Sequence, residues 1–205
     1  MKDAKRAGET FDEIADHFDK TRNTPWDEVV NFLERCEGSL LDLGCGNGRH
    51  IIEAKKRELD IYGIDASSNL LQICKNKFSG NIDFIRADVK ILPFEDEMFD
   101  NIIYIATIHH LKEGRVDSLK EAKRVLKIDG KLMVSSWARE QERWDLDEDE
   151  QDVIVPWHHE DGRVIKRFYH LYRLGELEKD VEKAGLKILE SFNSKGNNYV
   201  VASRT

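Results

Sequence analysis

The chain has 205 residues, enough for one domain with a sizeable core, and 40% of them are hydrophobic. No run approaches the roughly 20 apolar residues of a membrane span, and the first residues lack a signal-peptide stretch, so we expect a cytoplasmic protein without a membrane partner. The three cysteines, Cys36, Cys45 and Cys74, form no Cys-x-x-Cys pair, which indicates reduced thiols and argues against a disulfide scaffold or a zinc site.

The net charge of −8 is distributed unevenly along the chain. Ten acidic residues and one basic residue fall between Glu140 and Asp161, whereas nine basic and five acidic residues fall between Gly162 and Thr205. Net acidity argues against a nucleic-acid partner, but a basic C-terminal part beside an acidic stretch is compatible with a polyanion on one face. Scattered, solvated charge is an equally good interpretation of this pattern.

Two helices are predicted before residue 37. Apolar residues at positions 11, 14, 15 and 18 share one helical face, with Thr10 as the N-cap. Thr24 can cap the second helix, with Pro25 in its first turn. We interpret residues 1–36 as an N-terminal helical cap of a single domain that spans residues 1–205.

A strand, a glycine-rich turn and a helix are predicted from residue 40 to residue 58. Residues 40–48 read LLDLGCGNG. Glycines let a ligand approach the main chain, and the helix that follows offers free N–H groups. The Gly-x-Gly-x-Gly spacing differs from the dinucleotide-binding Gly-x-Gly-x-x-Gly, and the Asp42 carboxylate would repel a diphosphate. The turn therefore favours a ligand that carries an ammonium or sulfonium.

Strands and helices then alternate as far as residue 137. We predict strands at 60–64, 82–86, 99–106 and 131–137, helices at 67–77 and 116–126, and Gly130 as a residue that closes the second of these helices. A last helix at 176–184 precedes a hairpin of strands at 186–192 and 198–202. The fold class is therefore α/β, a Rossmann-like doubly wound seven-stranded sheet, mostly parallel with an antiparallel C-terminal hairpin strand and helices on both faces.

Residues 138–172 interrupt this alternation. The acidic part, 138–152, is too polar for a core and is predicted to be an inserted loop or lid. The rest of the segment is rich in aromatic, histidine and basic residues, so we interpret it as the substrate side of the domain.

Acidic residues end three of the predicted strands, at Asp42, Asp65 and Asp88. Ligands of open α/β sheets bind at the carboxyl ends of the strands. Asp65, 21 residues after Gly44, can accept from both ribose hydroxyls, and Asp88 can accept from an adenine amino group. The pattern indicates an adenosine-type ligand and leaves a nicotinamide oxidoreductase open as the competing class.

The glycine string resembles the first motif of the class I S-adenosylmethionine-dependent methyltransferases. More narrowly, the chain resembles the tRNA wobble-uridine carboxymethyl (5-carboxymethyluridine) methyltransferase family. The specific strings are IHHL at 108–111, VPWH at 155–158 and RFYH at 167–170. Two features depart from the family. Phe168 stands where the family usually has a tyrosine, and the acidic loop is short, so the resemblance does not establish that this loop contacts tRNA.

The resemblance implies S-adenosylmethionine as cofactor, S-adenosylhomocysteine as product, and no metal. Adjacent histidines, as in His109-His110 and His158-His159, point apart, which also disfavours a metal site. The implied cofactor-binding residues are Asp42, Gly44, Cys45, Gly46, Asn47, Asp65, Ala66, Asp88, Val89 and Ala106.

The resemblance also implies esterification of the carboxylate of 5-carboxymethyluridine in tRNA. A carboxylate is ionised at neutral pH, so it needs a cationic clamp rather than a general base. Candidate catalytic residues are Arg22, His109 and Arg167, and candidate substrate-binding residues are Trp26, Arg139, Trp157, His158, Tyr169 and His170. A class I methyltransferase that acts on a small carboxylic acid or other small metabolite is the alternative.

The expected partners are the tRNA substrate and a small zinc-binding methyltransferase-activator protein that adds a strand at the sheet edge. The competing hypothesis is that the chain without its partner is a binding module with little catalytic activity.

Overall fold

The computed structural model describes residues 2–80 and 82–205. In these two ranges the helices are α1 (Lys2–Thr21), α2 (Asp27–Leu33), α3 (Ile51–Lys56), α4 (Ser68–Lys77), α5 (Arg115–Val125) and α6 (Glu176–Lys183). The strands are β1 (Ser39–Leu43), β2 (Asp60–Asp65), β3 (Asp83–Arg86), β4 (Phe99–Tyr104), β5 (Leu126–Trp137), β6 (Asp152–His158), β7 (Val164–His170), β8 (Lys187–Ser194) and β9 (Asn197–Ser203). None of the described helices is long and apolar enough to cross a bilayer.

The main sheet has seven strands in the order β3-β2-β1-β4-β5-β9-β8 within the described part of the chain. The first five are parallel, whereas β9 pairs antiparallel with both β5 and β8. The predicted fold class is confirmed. The strand order changes direction between β1 and β4, and such a switch point opens a crevice at the carboxyl ends of the strands.

Helices cover both faces of the sheet, and neighbouring residues of a strand point to opposite faces, so each strand contributes to two cores. Leu41 and Tyr104 pack into one core together with residues of α5 and α6. Leu40 and Ile103 pack into the other core together with residues of α2, α3 and α4. This two-sided burial explains the near-continuous apolar strands of the sequence.

Helix α1 begins earlier than predicted. The N-cap assigned to Thr10 is wrong, since the Thr10 hydroxyl lies inside α1 and donates to the Arg6 carbonyl at 2.9 Å. Serine and threonine hydroxyls bond in this way within helices as well as at caps, so the residue type alone could not place the start. The cap assigned to Thr24 is also wrong, since α2 is preceded by Trp26, without a side-chain cap.

The position predicted for Gly130 is also incorrect. The chain leaves α5 directly into the long strand β5, and Gly130 lies inside that strand. A Cβ at Gly130 would lie 2.8 Å from both the Leu126 side chain and the Lys127 carbonyl. Close packing within the strand, rather than the end of a helix, requires glycine here.

The segment after β5 contains regular structure that the sequence did not indicate. Strands β6 and β7 form a separate antiparallel hairpin. Its inner face, which includes Trp157 and Ile165, packs on Ile14 of α1. Helix α1 in turn lies against α4, where Asp12 accepts from the Ser67 hydroxyl at 2.6 Å and from the Asn69 N–H at 2.8 Å. Helix α1 therefore packs against both the hairpin β6–β7 and α4.

Candidate functional site

A cavity of about 240 Å³ opens at the carboxyl ends of the parallel strands, at the switch point between β1 and β4. The glycine turn after β1 and the chain that follows β2, β3 and β4 line one part of it. Helix α1 and strand β7 line the rest, including Phe11, Phe18, Arg167 and Tyr169. The cavity therefore brings most of the predicted cofactor residues together with some of the predicted catalytic and substrate residues.

The glycine turn has a backbone conformation that favours glycine. Gly44, Gly46 and Gly48 all have positive φ angles, of 75°, 56° and 78°. A Cβ on Gly44 would lie 2.2 Å from the Thr107 hydroxyl, whereas a Cβ on Gly46 would meet only Phe18, at 3.7 Å. Glycine thus lets the turn approach the chain after β4, and it leaves open space above Gly46 for a ligand.

Asp65 fixes this turn to the neighbouring one. Its carboxylate accepts from the Gly46 N–H at 2.9 Å and from the Ser67 N–H at 2.8 Å. Ser67 caps α4 by accepting from the Leu70 N–H. Asp65 lines the cavity, and a carboxylate has lone pairs beyond the two used here, so it can also accept from hydroxyls of a ligand.

Asp42 is a buried carboxylate next to this turn. It is 2% exposed, and its Oδ2 atom has no hydrogen-bond partner in the described structure. Burial, followed by the nearby charge of Asp65, raises the pKa of Asp42 to about 8, while Arg49 acts in the opposite direction. A cation brought into the cavity would stabilise the ionised form of this carboxylate.

We predict that cofactor binding depends on pH through Asp42. Below pH 8 the ligand-free carboxyl is mostly protonated, and the ammonium group of the ligand must displace that proton, so affinity should increase as pH rises. Calorimetry with S-adenosylhomocysteine between pH 6 and pH 8 should show an increase of up to about tenfold per pH unit. Asp42→Asn should remove the increase, and a pH dependence that persists in this variant would contradict the role of Asp42.

The same pKa shift has a consequence for stability. The protonated form of Asp42 is favoured in the fold, so its contribution to stability is complete at pH values below about 4 and is lost as pH rises toward 8. The rise in melting temperature caused by the cofactor should therefore be larger at pH 8 than at pH 6.

Two guanidinium groups that line the cavity lie over the same aromatic ring. The Arg22 guanidinium lies 5.3 Å from the ring centre of Trp157, and that of Arg167 lies 4.8 Å from the same ring. Arg167 is 8% exposed, its Nη1 donates to the Tyr169 hydroxyl at 2.6 Å, and its Nε is buried without a hydrogen-bond partner. Within the described residues, no carboxylate lies within ion-pairing distance of either arginine.

This pair is therefore an uncompensated positive site. Burial, together with the neighbouring Arg22 charge, lowers the pKa of Arg167, and interaction with Tyr169 opposes this effect. An arginine side chain still stays protonated at neutral pH. Two cations without a counter-ion are most favourable when an anion binds between them.

The histidines beside the arginines are neutral. Burial, with the nearby His110, Arg167 and His170, lowers the pKa of His109 well below its ordinary value. Burial lowers that of His110 to about 4. The Nδ1 atom of His109 accepts from the Trp137 N–H at 3.1 Å, which places the ring proton of the neutral form on Nε2. His109 can therefore donate a hydrogen bond into the cavity, but it does not add a positive charge.

Most of the predicted site residues lie together in this cavity. Besides Arg22, His109, Arg167 and Tyr169, the lining includes the following predicted residues: Trp26, Gly44, Cys45, Gly46, Asn47, Asp65, Ala66, Val89 and Ala106. Asp42 is buried beside the glycine turn and does not belong to the lining. Asp88 also lies outside the lining, and its Oδ1 accepts from the Lys90 N–H at 3.0 Å in the turn after β3.

Four predicted substrate residues lie elsewhere. Arg139 donates to the carbonyl groups of Leu146, Asp147 and Glu150, so it folds the acidic loop. His170 binds the carboxylates of Asp152 and Glu176, at 2.6 Å and 2.9 Å. His158 is exposed on the outer face of β6, and Trp157 lies beneath the two arginines, with its indole N–H donating to His17. None of these four side chains lines the cavity.

Several residues of the cavity were not predicted from the sequence. The sequence places Phe11 and Phe18 on one apolar face of α1 without a ligand role, and both contribute to the lining. Arg49 and Trp137 also line it, with Trp137 stacked on Tyr169 at 4.2 Å. Arg49 directly follows the glycine turn and Trp137 ends β5, but neither residue type by itself indicates a ligand contact.

The described residues fit S-adenosylmethionine. A buried, unpartnered carboxylate oxygen, open space above Gly46 and a carboxylate at the end of β2 suit its cationic amino-acid part and its ribose. Within the described residues, no group of three or more His, Cys, Asp or Glu side chains is arranged to hold a metal ion.

Comparison with known proteins gives a consistent result. A family model described as Methyltransferase domain matches residues 41–134. The tRNA (carboxymethyluridine(34)-5-O)-methyltransferase of Schizosaccharomyces pombe is 34% identical, over 96% of this chain and 95% of that protein. A protein of the same name from Xenopus tropicalis is 29% identical over 95% of this chain, which spans 40% of that longer relative.

The fold also matches solved structures. A chain of the complex between the Haloferax volcanii Trm112 methyltransferase activator and a methyltransferase superposes with a TM-score of 0.74 over 96% of both chains. At 17% identity, this comparison shows a common fold.

Proposed function

The chain belongs to the family of the tRNA (carboxymethyluridine(34)-5-O)-methyltransferases, and from this premise we propose that it esterifies the carboxylate of 5-carboxymethyluridine at the tRNA wobble position. The observation that carries the proposal is the pair Arg22 and Arg167, two guanidinium groups without a carboxylate partner in the described residues, at the end of the cofactor cavity. A carboxylate substrate supplies the missing anion.

The chemistry needs orientation more than proton transfer. S-adenosylmethionine, when bound, supplies an electrophilic methyl group on a positively charged sulfur. Esterification would exchange the methyl–sulfur bond for a methyl–oxygen bond and leave the electron pair on sulfur, so the residues of the cavity would need only to hold the carboxylate in line with the methyl group. No proton moves, which agrees with neutral His109 and His110 beside the arginines.

The residues of the cavity have distinct roles in this proposal. Arg167 holds the carboxylate through the Nε side of its guanidinium, since Nη1 is occupied by Tyr169. Arg22 adds a second charge from the exposed side of the cavity. Both guanidinium groups also form cation–π contacts with the ring of Trp157, and each contact of this kind stabilises the position of its arginine by about 0.5–2 kcal/mol.

We also propose a small zinc-binding activator protein as a partner. Strands β3 and β8 are the two edges of the main sheet in the described residues, and Leu189 on β8 is 50% exposed. An added strand would pair with one of these edges and cover apolar surface. Equal turnover by the chain alone and by the complex purified from the native host would contradict a need for the activator.

The proposed reaction can be tested directly by mass spectrometry. We expect the chain, with its activator, to convert 5-carboxymethyluridine to its methyl ester in tRNA from a host strain that lacks this gene. The same tRNA bearing an unmodified wobble uridine is the matched control and should gain no methyl group, because it offers no carboxylate. We also expect the ester and its derivatives to be absent from the tRNA of the deletion strain.

The alternative substrate class gives a different result. An enzyme that methylates small carboxylic acids would bind its substrate with an affinity that changes little with salt. The affinity for tRNA, which involves several phosphates, should fall steeply as salt rises. Persistence of the wobble ester in the deletion strain would overturn the tRNA assignment and leave the methyltransferase assignment intact.

A further inference from the structure

A second cavity, of about 290 Å³, lies beside the first. It is bounded by α1, by the chain after β4 and by the outer face of the hairpin β6–β7. We call it the basic groove, and its described lining is Arg6, Ala7, Thr10, Phe11, His110, Lys112, Ile154, Lys166, Arg167 and Phe168. The proposed reaction uses Arg167 of this set and gives no role to Lys112, Lys166 or Phe168.

The charge of the basic groove is of one sign. Four of its lining residues are basic, namely Arg6, Lys112, Lys166 and Arg167, and none of the described lining residues is acidic. Lys112 and Lys166 are exposed, and neither forms an ion pair with a described carboxylate. In a chain whose net charge is −8, such a concentration of positive charge next to the catalytic cavity selects an anionic ligand.

The basic groove also offers an aromatic surface. Phe168 is half-buried on the outer face of β7, and the Lys112 ammonium lies 5.1 Å from its ring centre. Ile154, directly opposite Phe168 in the hairpin, is 55% exposed. An aromatic ring with adjacent cations is the combination that binds a base and its phosphate in single-stranded nucleic acids.

The alternation of β7 connects the two cavities. Arg167 points to the inner face, while Lys166 and Phe168 point to the outer face, so one strand forms the wall between them. Phe11, His110 and Arg167 line both cavities. A ligand whose carboxylate reaches Arg167 can therefore extend directly into the basic groove.

We propose that the basic groove binds the nucleotide next to the target uridine, with its phosphodiester on Lys112 and Lys166 and its base on Phe168. This inference rests on the proposed function and adds a subsite to it. A nucleotide fits better than a free acid, because the groove combines several cations with an apolar face rather than enclosing one anion.

The test compares two substrates of increasing length. Kinetics are measured with 5-carboxymethyluridine as the free nucleoside and within a trinucleotide, using the complex with its activator. In the wild type, the flanking nucleotides should raise kcat/KM by at least about tenfold. The double variant Lys112→Ala/Lys166→Ala should lose most of that gain, and Phe168→Leu, which keeps an apolar side chain, should lose part of it.

Salt dependence separates the charged contacts from the stacking contact. For binding of the trinucleotide, removing both lysines should reduce the slope of log Kd against log salt by up to about 0.7, the value for one phosphate contact of a single strand. Phe168→Leu should weaken binding without changing the slope. Lys131→Ala, exposed on the internal strand β5 and distant in the strand from the cavity residue Trp137, removes the same charge and is the control that should match the wild type.

The outcomes separate the two proposals. If the trinucleotide is methylated and the groove variants behave like Lys131→Ala, the basic groove is not the subsite, although the proposed function stands. If the nucleoside and the trinucleotide are both refused while a small acid is methylated, the proposed function fails and the groove inference fails with it. An affinity for S-adenosylhomocysteine equal to that of the wild type verifies the fold of each variant. If Phe168→Leu does not fold, the double lysine variant alone tests whether the basic groove is the subsite.

Discussion

Arg167→Lys is expected to lower kcat/KM for methyl transfer by about 10–100-fold, which is the cost of one lost hydrogen bond to a charged group. Lysine keeps the positive charge but loses the planar arrangement of N–H groups that holds a carboxylate at two points. It also cannot maintain the contact of the guanidinium with both Tyr169 and Trp157. Arg167→Met, which removes the charge as well, should lower kcat/KM by about 10³-fold or more.

The measurement is a steady-state assay on tRNA that carries 5-carboxymethyluridine. Arg163→Lys is the matched control, because Arg163 lies next to the same strand, is exposed, and pairs with Asp161. It should retain wild-type turnover. S-adenosylhomocysteine affinity should be similar in the Arg167 variants and the wild type, and wild-type turnover by Arg167→Met would remove this residue from the proposed mechanism.

Asp65→Ala is expected to lower the affinity for S-adenosylhomocysteine by about 10²-fold. Hydrogen bonds to a carboxylate contribute about 1.5–3 kcal/mol each, and the variant would lose those to the ribose. The Gly46 and Ser67 N–H groups would also lose their acceptor, which loosens the glycine turn and the start of α4. The melting temperature should fall by about 2–4 °C for each kcal/mol lost.

Two comparisons make this prediction specific. Burial raises the pKa of Asp65, and removing a buried carboxylate recovers part of the lost stability, so the effect on affinity should exceed the effect on folding. Asp60→Ala, at the exposed start of the same strand, should leave affinity unchanged. Wild-type affinity in Asp65→Ala would show that the ligand does not contact the end of β2.

The cofactor side of the site was largely predictable from the sequence. Apolar strands ending in Asp42 and Asp65 and the glycine spacing at 44–48 are local patterns, and each follows from steric limits on the backbone or from the period of a strand. The parallel sheet then brings the strand ends together without further information. The two strand-end carboxylates therefore lie at or beside the cavity.

The substrate side was less predictable, because its residue types are ambiguous. Arginine and histidine bind anions, but they also hold loops and pair with acids, and sequence spacing does not separate these roles. Arg139 binds carbonyl groups of the acidic loop, and His170 binds two carboxylates. Arg167 resembles both in the sequence, yet its inward position on β7 leaves it without a described carboxylate partner.

The sequence by itself determined the fold class, the order of the strands along the chain and the glycine turn, because these depend on interactions between near neighbours. The tertiary structure decided that α1 covers the cavity, that residues after the acidic loop form a hairpin, and that Arg22 and Arg167 share the ring of Trp157. The first and the last of these features join segments that are far apart in the chain. Their geometry depends on how the apolar faces of α1 and the hairpin pack together, and no local pattern records that packing.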